Sequence, residues 1–171
     1  MSVRLRLGLG AVAVGMLSSC GVGGTASPPP TGSPVSAGAV VCTAEPQAHV
    51  YHPDRLRLLN ACVTVSGTIE SVTPEPDGDD HVRLRLDPGQ ACAGEPCVNA
   101  GNVSGQHGDL LLEPVCEHAV TQADAVAACT GWRDPLASPP VGRHVTVSGP
   151  WVLDMDHGWN EIHPLEAVRV S

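Results

Sequence analysis

Lysine and phenylalanine are both absent from this 171-residue chain, and tyrosine occurs once, as Tyr51. Every one of the nine basic residues is therefore an arginine, set against 18 acidic residues, for a formal charge of −9. Such a surface repels nucleic-acid backbones and anionic headgroups, which argues against nucleic acid as a partner. Stacking platforms for bases are confined to Trp132, Trp151 and Trp159. A core has to be built from Val, Leu, Ala and Ile. No stretch reaches the roughly 20 apolar residues that a helix needs to cross a bilayer. Tight C-x-x-C pairs are missing, which counts against a thiolate zinc site. Phosphate-binding glycine loops, dinucleotide fingerprints and serine-hydrolase elbows are missing too.

What the chain does have begins at its N-terminus. Arg4 and Arg6 precede an apolar run from Leu7 to Leu17, which closes on Leu17-Ser18-Ser19-Cys20. The run has the length of a signal-peptide core. It resembles a bacterial lipoprotein signal with its lipobox. The resemblance implies removal of residues 1–19, a diacylglycerol on Cys20, and anchorage in the cell membrane on its extracytoplasmic side. An ordinary secretory signal, cut a few residues later, is the alternative. Residues 21–40 are Gly, Ser, Thr, Pro, Ala and Val without a single charge. That composition cannot offset the entropy of ordering and reads as a tether, with a coil reach of about 25 Å. The expected organisation is a signal peptide (1–19), a lipidated cysteine and tether (20–40), and one folded domain (41–171). Without Arg4 and Arg6, seven arginines face 18 acids, a charge of −11.

Six cysteines remain after Cys20: Cys42, Cys62, Cys92, Cys97, Cys116 and Cys129. An even number in an exported domain suggests a disulfide framework. Six cysteines allow about 15 connectivities, so spacing alone does not fix the pairing. Neighbourhood favours Cys92–Cys97 and Cys116–Cys129, leaving Cys42–Cys62.

Alternation of apolar and polar residues dominates the domain. It predicts a long first strand around Cys62–Val72, with Gly67 marking a bulge or coil. Asp77-Gly78 tips an acidic turn, and His81–Asp87 alternates again, its valine and leucines facing the core. Asp109–Val115 reads as a third strand, Thr121–Ala128 as a short helix, and Arg143–Gly149 as a fourth strand running on towards Asp154. Glu161–Val170 reads as the fifth. Residues 88–108 read as loop, and residues 43–59 as an extension packed on the domain. Strand, strand, strand, helix, strand, strand resembles the OB-fold, a five-stranded Greek-key barrel with its helix between strands three and four. A small β-sandwich is the alternative. The acidic turn and the segment from Trp151 to Pro164 together resemble uncharacterised OB-like domains of secreted bacterial proteins.

That last segment is the densest polar cluster. Asp154, His157, Glu161 and His163 lie close together in it, and Glu161 and His163, two apart on a strand, share a face. His81 opens the second strand, beside Asp77, Asp79 and Asp80. If the two groups converge, His81, Asp154, His157, Glu161 and His163 form a candidate ligand or metal site for Zn²⁺ or Mn²⁺. The plainer reading has Trp159 and His163 filling one end of the sheet, with Glu161 paired to Arg143 or Arg169. The function expected is a binding or interaction module at the outer face of the membrane, for a small ligand, a cation, a glycan or a protein. The alternative is a metal-dependent hydrolase using His81, His157, Glu161 and His163.

Overall fold

A computed structural model of the chain describes residues 42–43 and 45–171. The expected signal peptide, Cys20 and the expected tether lie outside the described residues. Among the described residues the protein is mainly β: six strands in one mixed sheet, two short α-helices and two 3-10 turns. All six strands belong to a single hydrogen-bonded sheet, not to the two stacked sheets of a sandwich. No helix among these residues is long and apolar enough to cross a membrane.

Strand β1, Leu56–Pro74, organises the sheet. Its N-terminal part pairs antiparallel with β4 (His144–Asp154), and its C-terminal part with β2 (Asp80–Leu86). The change of partner occurs at Gly67 and Thr68, which pair on both sides. A Cβ on Gly67 would meet Arg85 O at 2.3 Å, so a side chain there would wedge β1 away from β2. Val63, Val65 and Ile69 alternate inward with Val82 and Leu84 of β2, as the period of two requires. Leu110, Leu112, Val145, Val147, Trp151, Ile162 and Leu165 complete the core. Strand β3 (Leu110–Leu112) pairs with β2 and, in parallel, with β5 (Asn160–Ile162).

Six strands replace the five expected, because the segment 161–170 breaks in two. Strand β5 pairs with Trp151–Leu153, and β6 (Ala167–Val170) pairs with Val145–Ser148 of the same β4. Between them Pro164 has no N–H to give, and the Leu165 N–H turns away to Glu113 O at 2.8 Å. The segment 88–108 is also more than loop. Helix α1, Ala100–Gly105, starts from a reciprocal cap in which the side chains of Asn99 and Asn102 each accept the other's backbone N–H. Helix α2, Val126–Cys129, is shorter than the Thr121–Ala128 expected.

Disulfides join Cys42–Cys62, Cys92–Cys97 and Cys116–Cys129, the pairing that neighbourhood favoured. Cys42–Cys62 fastens the N-terminal segment to β1. That segment then crosses the mouth between β4 and the first hairpin: Arg55 Nε donates to Asp154 Oδ2 at 2.8 Å, and the Met155 N–H donates to Arg55 O at 2.9 Å.

Candidate functional site

Strand alternation should send Ile162 to the core and leave Glu161 and His163 towards solvent. The structure buries all three, with Glu161 and His163 at 1% and 2% exposure. The N-terminal segment supplies the second cover: Val50, Pro53 and Leu56 flank a groove that His163 and Pro164 border from the other side. Glu161 pairs with neither Arg143 nor Arg169. His163 Nδ1 lies 3.1 Å from Glu161 Oε2, and Trp159 Nε1 donates to Glu161 Oε1 at 2.5 Å.

A third buried group joins this pair. Glu113 follows β3, beside β5, and its carboxylate, the Glu161 carboxylate and the His163 ring offer ligand atoms all within 4.8 Å of one another. Glu113 is 1% exposed. His81 reaches it from β2, with Nε2 2.9 Å from Glu113 Oε1. Glu113 Oε1 nevertheless lacks a hydrogen-bond partner. His163 Nε2 is equally buried and equally without one. Orphaned buried polar atoms are rare and point to something that completes them.

The electrostatics agree. Burial, reinforced by the Glu161 carboxylate, pushes Glu113 well above the ordinary carboxyl range. Burial works against a charge on His163. The hydrogen bond to Glu161 and the charge of Glu113 outweigh it and raise the imidazole pKa. Asp79, in the first hairpin, is pushed up to about 6 by burial, against the pull of His163 and of the Cys116 N–H on its carboxylate. The cluster is short of positive charge, which a proton or a cation can supply.

Asp154 and His157 form a neighbouring group. The Asp154 carboxylate accepts from Arg55 Nε, from the backbone N–H of Asp156 (2.8 Å) and His157 (3.1 Å), and faces His157 Nδ1 at 3.0 Å. Burial opposes its charge, but the His157 N–H and Arg55 more than compensate and hold the carboxyl below its usual range. With these partners Asp154 organises the β4–β5 turn. His157 stays exposed and stacks on Trp159, ring centroids 4.6 Å apart. Asp154, His157 and Glu161 also offer ligand atoms within 4.8 Å. A third group of this kind, Asp79 with Cys116 and Cys129, has both its sulfurs in a disulfide and no thiolate to give.

The structure therefore brings both polar segments to one place. Glu75, Asp77 and His81 of the first hairpin face Asp156 and His157 of the β4–β5 turn across a cleft of about 460 Å³, with Arg55 on its wall. Glu113 and Arg55 are absent from the sequence expectation. Glu113 sits in Leu110-Leu-Leu-Glu-Pro, where an apolar run hides its direction. Arg55 belonged to an apparent surface extension. No protein-family model and no curated protein matches the chain. The site is therefore read from its own geometry.

Proposed function

We propose that this protein is a divalent-cation-binding module, held by His81, Glu113, Glu161 and His163. One observation carries the reading: two buried carboxylates and the His163 imidazole converge, with His81 Nε2 2.9 Å from Glu113, while Glu113 Oε1 and His163 Nε2 have no hydrogen-bond partner. The donor set of imidazole and carboxylate suits Zn²⁺ or Mn²⁺. Trp159 Nε1, bonded to Glu161 Oε1, fixes that carboxylate as outer-shell donors do. We further propose that the domain has an OB-like arrangement. The pairing of β1 with both β2 and β4, and the parallel pairing of β3 with β5, support it. The signal Leu17-Ser18-Ser19-Cys20 supports a lipid-anchored protein working outside the cytoplasm.

Thermal melts in Zn²⁺ or Mn²⁺ against chelator test the centre. An ion at 100 times its Kd stabilises the native state by about 2.7 kcal/mol. Glu113→Gln, Glu161→Gln and His163→Ala each abolish the rise, and His118→Ala keeps it. Identical melts with and without metal, and no metal in protein purified without chelator, refute the reading.

A second reading, a metal-dependent hydrolase, has one specific support. Asp154 holds His157 Nδ1 as an acid holds the imidazole of a general base, which leaves the other ring nitrogen for the cleft. Turnover of a phosphoester that needs metal and is lost in His157→Ala, with metal binding retained, would establish it.

A further inference from the structure

Cys116 and Cys129 close the loop that carries α2, and both line a surface cleft of about 330 Å³. Cys116 is 2% exposed, whereas Cys129 is half-buried, so a reagent in the cleft meets Cys129 more readily. Cys92–Cys97 is sealed in the core at 0% and 1% exposure. Cys42 and Cys62 are half-buried too, so access alone does not single out Cys116–Cys129.

Charge and backbone conformation do. Arg133 and His118 stand on the cleft wall with Val126 and Trp132. The Arg133 guanidinium donates to the Glu117 carbonyl, and among the described residues it forms no ion pair with a carboxylate. A thiolate is the nucleophile that opens a disulfide, and positive charge draws it in and steadies the thiolate that leaves. Cys116 itself holds φ at 57°, the left-handed region that a residue with a Cβ keeps only under constraint. Accessible or strained disulfides are the exchangeable ones. Asp79 comes within 4.8 Å of both sulfurs, but it is 2% exposed and takes no part in the cleft wall.

The loop that this bond closes is also a clasp. His118 donates its N–H to Gly78 O at 2.9 Å, and Thr121 and Gln122 donate theirs to Pro76 O at 2.8 and 2.9 Å. Tyr51 of the N-terminal segment donates to Asp124 Oδ2 at 2.6 Å. One disulfide-closed loop thus holds both the first hairpin and the N-terminal segment.

We propose that Cys129 is a site of thiol–disulfide exchange with a small anionic thiol, and that the exchange releases this clasp. The thiolate sulfur attacks Cys129 Sγ and forms a mixed disulfide with it. The Cys116–Cys129 bond breaks, and its electron pair leaves on Cys116 Sγ, which takes a proton from water. The incoming sulfur is oxidised and Cys116 is reduced. The site does not rest on the cation centre at Glu113.

Glutathione is the probe, added in excess to the native full chain carrying Cys20→Ser, so that every thiol found is one that exchange has released. Acid quenching, alkylation of thiols in denaturant and peptide mapping follow the products with time. The expected first product has glutathione on Cys129 and a free thiol at Cys116, with Cys42–Cys62 and Cys92–Cys97 intact. Hydrogen exchange at the Thr121 and Gln122 amides quickens in that product. Arg133→Gln, an exposed change, slows the glutathione reaction several-fold and slows 2-mercaptoethanol, compared at equal thiolate concentration, much less. The glutathione rate falls as salt rises, and falls less in Arg133→Gln. Glu113→Gln leaves the rate unchanged, so failure of the cation centre and failure of this site are told apart. Release of Cys42–Cys62 first, three disulfides that survive excess glutathione until the protein is denatured, a rate indifferent to Arg133, or an adduct that leaves the two amides as protected as before would overturn the proposal.

Discussion

Asp79→Asn is expected to stabilise the protein, and only above a defined pH. Asp79 is 2% exposed at the end of the first hairpin, where its Oδ1 accepts the Cys116 N–H at 2.7 Å. Burial lifts its pKa from 3.8 to about 6; Asp77 adds to the lift, and His163 and Arg55 oppose it. An acid whose folded pKa is raised binds its proton more tightly in the native state than in the unfolded one. Stability is therefore highest below pH 3.8 as far as this group is concerned, and falls as pH rises to about 6. At about 1.36 kcal/mol per pH unit the whole fall is on the order of 3 kcal/mol. Asparagine has nearly the same shape, keeps an oxygen for the Cys116 N–H, and carries no charge to bury. The difference in unfolding free energy between Asp79→Asn and wild type is then near zero at pH 3.5 and grows to about +3 kcal/mol by pH 7.5. Urea unfolding with the disulfides intact, in chelator, at four or five pH values measures it. A difference that is flat with pH, or a destabilised variant at pH 7.5, would refute the reasoning.

Gly67→Ala should destabilise by roughly 1–3 kcal/mol in the same urea assay, since its Cβ would sit 2.3 Å from a β2 carbonyl that cannot move without breaking the ladder; a loss under about 0.5 kcal/mol would mean the strands part more easily than their pairing suggests. Replacing the Cys42–Cys62 pair by serines opens a loop of sequence separation 20 and should cost about 3 kcal/mol, against about 2 kcal/mol for Cys92–Cys97 with separation 5. The reverse order would show that the N-terminal segment is held by its other contacts.

The strands were legible where one face is buried and one is wet. In β1 and β2 the inward valines, leucines and isoleucine alternate with Thr64, Ser66, Arg83 and Arg85, and the pattern gave type, direction and partner together. It failed where both faces are covered. Leu110, Leu111 and Leu112 are all fully buried, so the alternation that would have placed Glu113 is absent. Glu161 and His163 were correctly put on one side of a strand, yet that side is closed by residues about 100 positions earlier in the chain, which no local pattern encodes. Helix α1 was missed because Ala-Gly-Asn-Val-Ser-Gly has weak helix propensity; the Asn99 and Asn102 cap was the available signal.

The N-terminal segment is thus the element that would turn a polar strand face into the proposed cation site. Without it, Glu161 and His163 would be hydrated, their charges screened, and an ion at them would compete with bulk water. With Val50, Pro53 and Leu56 laid along the neighbouring groove, the same groups are 1–2% exposed, and His163 Nε2 is left unsatisfied, as is Glu113 Oε1 beside them. Arg55 closes the arrangement from the same segment by bonding Asp154, which in turn positions the His157 turn at the cleft. Cys42–Cys62 is the covalent link that keeps this cover against β1. Loss of that disulfide should therefore weaken cation binding as well as stability, whereas loss of Cys92–Cys97 should lower stability alone. Metal titrations of the two double-serine variants, run well below their melting temperatures, separate the cases. Equal affinities in both would show that the cover is not what makes the centre.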